Sequence, residues 1–168
     1  MATIRPGWEG RYFEDFAVGD VYRCRYGRTV TESDNINFTL LTNNTNQIHF
    51  NREYGKRTEW GQCLVNSALT LSIVAGMGVA DVSENGFALG WDEIQLPHPV
   101  FTGDTLYSES EVLEVRPSRS RPTQGVVKIE TRGYNQEGTL VIRYRRSLMV
   151  WKRDHAPSKD LFPVPPAQ

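Results

Sequence analysis

The chain of 168 residues sets 19 lysines and arginines against 20 aspartates and glutamates, for a formal net charge of -1. That length suits one domain with a real core, and the charge balance excludes a broad nucleic-acid surface, which needs a clustered basic face. No apolar stretch spans a membrane without polar interruption, and Met1 to Trp8 carries no apolar leader region. Cys24 and Cys63 are too few for a disulfide framework and lie in no metal-ligand spacing. A cytoplasmic protein with free thiols, no metal, and no nucleic-acid or membrane partner is the expectation.

Residues 1–19 read as an irregular arm whose Trp8, Tyr12, Phe13 and Phe16 pack down on the domain. Asp20 to Thr29 alternates loosely and reads as a strand. Thr31 reads as an N-cap, with Glu32 and Asp34 in the first turn of a helix that runs through Ile36, Phe38, Leu40 and Leu41 to an asparagine cluster. Phe50 to Arg57 reads as a short helix with the basic edge Arg52, Lys56 and Arg57.

Leu64 to Met77 follows as an apolar run too long for an ordinary strand. Its apolar positions fall at helical spacing on two overlapping faces, so a core helix covered nearly all round is expected. Beyond it the pattern turns to period two. Strands are expected at Phe87–Leu96, Thr105–Val115, Gly125–Tyr134 and Thr139–Trp151. Gly103-Asp104 and Asn135-Gln136-Glu137-Gly138 form turns, and Arg116–Gln124 a basic loop. A proline-rich tail, 153–168, wraps the surface or a partner. The segregated order gives an α+β fold with one helix packed on one face of a curved antiparallel sheet, over residues 20–152.

The stretch Thr42–Met77 is the candidate site. A dense patch of amides with one histidine feeds a buried helix, and a helix N-terminus offers unpaired N–H groups to an anion or a carbonyl. Within it, Asn43-Asn44-Thr45-Asn46-Gln47-Ile48-His49 resembles the Gly-Asp-x-Asn-Pro-hydrophobic-His motif of the MaoC-like dehydratases, the (R)-specific enoyl-CoA hydratase family. Val65-Asn66-Ser67-Ala68 is similar to the family's Ala-His-Gly-hydrophobic segment, and Pro99 to Leu106 to its stretch after the second strand. The resemblance implies a single hot-dog fold, a long central helix wrapped by a curved antiparallel sheet, paired as a homodimer or higher homo-oligomer. It implies acyl-CoA thioester substrates and no cofactor.

The resemblance gives His49 the proton transfer, a role that imidazole chemistry suits near neutral pH. Asn44 stands where the family has an aspartate. An amide is no general base, but its carbonyl oxygen can orient a water. The backbone N–H of Ser67 is expected to polarise the thioester oxygen, as an oxyanion-type donor worth about 3 kcal/mol. Asn66 reads as the N-cap of the helix or a substrate contact, and Asn46 as a loop or substrate anchor. Arg52, Arg57, Arg119 and Arg121 are candidate contacts for coenzyme A phosphates or a substrate carboxylate. Tyr107, Trp91 and Trp151 read as packing residues.

The reading is therefore a hydratase or dehydratase acting on a 2-enoyl-CoA. The run Thr31 to Asn66 is similar to the mesaconyl-, itaconyl- and methylmalyl-CoA subgroup, which favours a short branched or dicarboxylic acyl group. Two alternatives stay open. One is a non-catalytic hot-dog subunit that binds an acyl thioester; the other is a thioesterase, which would need a carboxylate at the central helix where Asn66-Ser67 supplies none.

Overall fold

The period-two segments form the sheet. In the computed structural model, which describes residues 3, 5 and 7–163, the long strands are β3 (Gly86–Gln95), β4 (Thr105–Pro117), β5 (Gln124–Tyr134) and β6 (Leu140–Trp151). With the edge strand β1 (Val21–Arg23) they pair antiparallel in the order β1-β4-β5-β6-β3. The expected strand over 20–29 is broken into β1 (Val21–Arg23) and β2 (Arg28–Thr29), both on the edge of β4. The break falls at Gly27, where a Cβ would sit 2.7 Å from the Tyr107 ring. Among the described residues three α-helices precede the long strands: α1 (Glu32–Leu41), the single turn α2 (Arg52–Gly55) and α3 (Ser67–Met77).

The inner face of the sheet is read off the alternation. Leu106 and Val112 of β4, Val127 and Ile129 of β5, and Ile142, Tyr144 and Leu148 of β6 are all buried. Val65, Leu69, Val74 and Met77, in and beside α3, pack against Leu106, Val141, Ile142 and Tyr144. A second cluster joins Phe16, Val82, Val112, Val127, Ile129, Leu148 and Val150. Each fully buried aliphatic or aromatic side chain contributes about 1.5–3 kcal/mol, so these two clusters hold helix and sheet together.

The arm is pinned by aromatic packing. Phe16 is 6% exposed and the Phe13 ring lies so close to Gly125 that a Cβ there would be 2.1 Å from it. Trp8 Nε1 donates to the Ala80 carbonyl (3.0 Å), and Arg11 pairs with Asp81 at 2.6 Å. The tail returns over the arm. Arg153 pairs with Asp15, and Lys159 Nζ reaches the Glu9 carbonyl at 2.8 Å. Residues 164–168 of the tail call, with Met1, Ala2, Ile4 and Pro6 of the arm, lie outside the described residues.

One expectation about the core needs correction. α3 is not covered all round, because Ala68, Ser72 and Gly76 form an exposed stripe one helical turn apart, with Ser67 exposed beside it. Trp91 rests on Tyr144 with ring centroids 5.0 Å apart and stays 37% exposed, and Tyr107 is 44% exposed. Trp91 also lies 5.1 Å beneath the guanidinium of Arg146, a buried inner-face cation whose pKa is pushed down by burial.

The outer face is a ladder of ion pairs: Arg23–Glu109, Glu109–Arg132, Arg132–Glu130, Glu130–Arg145 and Arg145–Glu93. The hydrogen bond from Arg23, then the charge of Arg132, holds the Glu109 carboxyl below its ordinary pKa against the opposing effect of burial. A depressed carboxylate stabilises the fold above its unfolded pKa and loses that contribution as pH falls through its folded pKa. Glu109→Gln is therefore expected to cost about 1 kcal/mol at pH 7. Urea unfolding should show the gap closing below about pH 4, where the unfolded carboxylate protonates.

Candidate active site

α1 is set by its cap. Asp34 N–H donates to Thr31 Oγ1 (3.2 Å) while Thr31 N–H donates back to Asp34 Oδ2 (2.8 Å), a capping box. The Arg28 guanidinium grips both Asp34 oxygens at 2.8 and 2.9 Å and holds that carboxyl well below the usual range. Asp34 is thus a cap acid, as its first-turn position implies. The cap turns the polar side of α1 inward. Asn35 and Thr39, one turn apart, are buried, whereas Leu40 and Leu41 are 57% and 81% exposed.

Asn35 is 1% exposed and joins three segments. Its Nδ2 donates to the carbonyls of His49 (2.7 Å) and Leu64 (2.9 Å), and its Oδ1 accepts the Asn66 N–H (2.8 Å). The amide orientation follows from its partners, since two carbonyl oxygens demand the NH2 and one N–H demands the oxygen. This side chain ties the histidine loop to the start of α3, alongside the backbone bond from the Leu64 N–H to the Ile48 carbonyl at 3.0 Å. Thr39 adds a second tie, accepting from Asn66 Nδ2 at 3.3 Å.

The asparagines of the loop build its backbone turns. Asn43 takes a positive φ of 54°, which asparagine tolerates better than most residues. Asn44 Oδ1 accepts the Asn46 N–H at 2.9 Å and Asn46 Oδ1 accepts the Ile48 N–H at 3.2 Å. Asn51 Oδ1 caps α2 through the Glu53 and Tyr54 N–H groups at 3.1 and 3.2 Å. The turns at Asn43, Asn44 and Asn46 carry the chain to His49, whose Nδ1 sits 3.1 Å from the Leu64 carbonyl. A carbonyl there requires Nδ1 to carry a proton, so the neutral ring presents Nε2 with a free lone pair.

At the start of α3, Asn66 Oδ1 accepts the Ala68 N–H at 2.9 Å, so Asn66 is the N-cap. The Ser67 N–H has no acceptor among the described residues. It belongs to the orphan donors of a helix N-terminus. Ser67 lines a pocket of about 240 Å³ with Trp60, Leu64, Val65, Leu96 and His98. His98, flanked by Pro97 and Pro99, has its Nδ1 2.8 Å from the Leu140 carbonyl, which leaves its Nε2 free as well.

The candidate cations divide. Arg52 is bound by both guanidinium arms to Glu32, with Nε at 2.6 Å, and ties α2 to α1. Glu53 pairs with Lys56 at 2.6 Å. Arg57 is exposed and has no carboxylate partner among the described residues. Arg119 and Arg121 lie on the β4–β5 hairpin, where the Arg121 guanidinium is 5.6 Å from the Phe87 ring centroid. That is the opposite end of the sheet. His98 contacts Leu140 at one end of β6, while Gly86 and Gly125 pair with Val150 near the other.

The structure ties His49, through the Leu64 carbonyl, and Asn66 to the start of α3 beside Ser67, and puts Asn44 and Asn46 on the loop that leads to His49; Arg52 lines a separate pocket with Glu32, Lys56 and Cys63, and Arg119 and Arg121 lie away from both within the chain. Sequence reasoning missed Asn35, Thr39 and His98. The signal for the first two was present: a pair of polar residues at i, i+4 in a helix whose last leucines point outward.

A sheet wrapped on one long helix, with a histidine loop clamped to the helix start, defines a hot-dog fold with a dehydratase-type loop. The comparisons extend this. The family profile described as mesaconyl-CoA hydratase matches residues 5–160. The mesaconyl-CoA hydratase of Cereibacter sphaeroides is 34% identical over 93% of this chain and 46% of its own length. A MaoC domain protein dehydratase from Chloroflexus aurantiacus has a solved structure 30% identical, with a TM-score of 0.84 over 96% of this chain and 47% of that one. A protein from Mycobacterium tuberculosis with a double hot-dog fold superposes with a TM-score of 0.78 at 20% identity, over 93% of this chain and 47% of that one. The chain belongs to the mesaconyl-CoA hydratase family. It spans about half the length of the curated relatives it matches.

Asn35→Ala leaves the His49 carbonyl and the Asn66 N–H without their partner and the Leu64 carbonyl with His49 Nδ1 alone, and is expected to cost about 3 kcal/mol. Asn35→Asp is expected to cost more at neutral pH, because a carboxylate would face two carbonyl oxygens. Urea titrations of both variants at pH 7 and pH 4.5 check this, with the Asp variant recovering at the lower pH as its carboxyl gains a proton to donate.

Proposed function

We propose that this chain is a hydratase unit that reversibly adds water across the double bond of a 2-enoyl-CoA. The observation that carries the reading is the tie made by Asn35, which binds the loop bearing the free Nε2 of His49 to the helix start bearing the free N–H of Ser67. These are a proton acceptor and an oxyanion donor, the two groups that conjugate addition to a thioester needs. His49 Nε2 takes a proton from water as the oxygen attacks the β-carbon. The negative charge moves to the thioester oxygen, where the Ser67 N–H stabilises it. The imidazolium then returns a proton to the α-carbon. Asn44, with its Oδ1 engaged to the Asn46 N–H, keeps its NH2 and a second lone pair for positioning water, and His49 is the only base among these residues.

The acyl group is short and branched or dicarboxylic, such as mesaconyl-, itaconyl- or methylmalyl-CoA. The support is the family membership and the mesaconyl-CoA hydratase of Cereibacter sphaeroides. The long exposed edge of β3 pairs with a second hot-dog unit, as a homodimer of this chain. A second reading, an acyl-thioester-binding unit without catalysis, draws on the amide at position 44.

Incubation with crotonyl-, mesaconyl- and itaconyl-CoA tests the reading. Loss of enoyl-thioester absorbance without release of thiol is expected for a dicarboxylic member of the panel. Thiol release would instead mark a thioesterase, and ligand-induced thermal stabilisation without turnover would mark the binding unit. His49→Ala is expected to lower kcat by at least ~10²-fold, the usual scale for a lost general base; unchanged turnover would remove His49 from the mechanism. Asn44→Asp is expected to keep or raise turnover of straight-chain crotonyl-CoA, where a collapse would show that the amide itself is required.

A further inference from the structure

The Ser67 pocket has a wall that the hydration chemistry leaves unused. It is the connection from β3 to β4, whose Leu96, His98 and Val100 line the cavity together with Trp60, Leu64 and Thr70. Most of that lining is apolar. His98 is its only titratable side chain, and among the described residues no aspartate, glutamate, lysine or arginine joins it. Thr70, 1% exposed and three residues along α3 from Ser67, donates its hydroxyl to the Asn66 carbonyl at 3.4 Å.

The His98 ring is fixed before any ligand arrives. It stands between Pro97 and Pro99, and proline both holds its own φ and drives the residue before it to extended backbone. Nδ1 lies 2.8 Å from the Leu140 carbonyl at the start of β6. A carbonyl only accepts, so Nδ1 is a donor in either charge state of the ring. Nε2 has no hydrogen-bond partner among the described residues. His98 is exposed where it lines the cavity, so Nε2 is open to a ligand. Once protonated, Nε2 is a charged donor, and the partner that suits it is an anion.

Charged groups on the adjoining segments are engaged elsewhere or stand outside the lining. On β6, Arg143 donates to Gln95 at 2.8 Å, and Arg145 pairs with Glu93 and Glu130 at 2.8 and 3.2 Å. Asp104 accepts the Phe101 N–H and the Gln136 amide. Arg57, Glu59, Asp92 and Glu137 are exposed and do not line the cavity. His49 holds the Leu64 carbonyl through its own Nδ1.

Size narrows the class of anion. The cavity of about 240 Å³ has room for about eight non-hydrogen atoms at the ~30 Å³ that a water takes in the liquid. An acyl group of about four or five carbons with a second carboxylate contains about that many. Apolar walls suit its carbons, the Ser67 N–H its thioester oxygen, and an imidazolium its far end.

We propose that His98, as imidazolium, binds the free carboxylate of a dicarboxylic acyl-CoA whose thioester oxygen meets the Ser67 N–H in the same pocket. The inference rests on the acyl-CoA reading above and adds the residue that selects an acid over a plain chain.

Calorimetry with succinyl-CoA and butyryl-CoA tests it. The two share a chain length, neither has a double bond to hydrate, and only the first carries a second carboxylate, which stays ionised above about pH 5. The wild-type chain is expected to bind succinyl-CoA more tightly at pH 6 than at pH 8.5, by about tenfold beyond any change seen with butyryl-CoA. The coenzyme phosphates titrate alike for both ligands, so the butyryl-CoA series removes their contribution. His98→Asn keeps an N–H for the Leu140 carbonyl and has nothing at the place of Nε2. At pH 6 it is expected to lose about tenfold in succinyl-CoA affinity and the pH dependence with it, while butyryl-CoA affinity stays within about twofold. Turnover of mesaconyl-CoA relative to crotonyl-CoA is expected to fall in the same variant. Equal losses for both ligands would make His98 a structural tie alone, and an unchanged succinyl-CoA affinity would remove it from recognition; either result overturns the proposal and leaves hydration untouched. A succinyl-CoA preference that depends on His98, in a chain that hydrates no member of the panel, would sustain the carboxylate site and sink the hydratase reading instead.

Discussion

A single buried amide holds this molecule's chemistry in place. Asn35 satisfies the His49 and Leu64 carbonyls and the Asn66 N–H at once. Without it the His49 carbonyl and the Asn66 N–H would lose their partner, which costs more than an ordinary hydrogen bond contributes. The consequence is that the histidine loop has one position relative to the helix start. The Leu64 carbonyl is shared by Asn35 Nδ2 and His49 Nδ1, so the clamp that fixes the loop also fixes the histidine tautomer. Backbone order and protonation state are set by the same oxygen.

The rest of the fold supplies the frame for that clamp. Thr31 and Asp34 cap α1, and Arg28, at the end of β2, anchors the cap to the sheet edge. Arg52 and Glu32 brace α2 against α1. The inner face of the sheet holds α3 through Leu69, Val74 and Met77, leaving its first turn free to present the Ser67 N–H. Loops carry function more readily when a rigid scaffold positions them. Here the scaffold is a curved sheet whose outer face is knit by charge and whose inner face buries aliphatic side chains together with Ser108, Ser110, Thr131 and Arg146.

The strands and α3 were legible because their periodicities are clean. Leu106, Ser108, Ser110 and Val112 alternate with Tyr107, Glu109, Glu111 and Leu113, and burial follows that pattern. The cap of α1 was legible from Thr31 and Asp34. The break in the first strand was not, because it depends on the approach of Gly27 to Tyr107 from a distant strand. Nor was the open stripe of α3, since apolar and small residues look alike in a hydrophobic pattern. In the site, His49, Asn44, Asn46, Ser67 and Asn66 were named through motif spacing. Asn35 escaped because its role lies in backbone groups 14 to 31 residues away, and backbone acceptors leave no mark in a sequence. His98 escaped because a histidine between two prolines reads as the end of a strand.

We propose that the His49 base and the Ser67 N–H act on the same bound enoyl thioester. A crystal structure of the chain with butyryl-CoA, a saturated thioester that cannot be hydrated, tests it most directly. The account predicts the thioester oxygen within hydrogen-bonding distance of the Ser67 N–H, and His49 Nε2 facing the β-carbon directly or through one water. A thioester bound with its carbonyl away from the start of α3, or with His49 turned from the acyl chain, would contradict it.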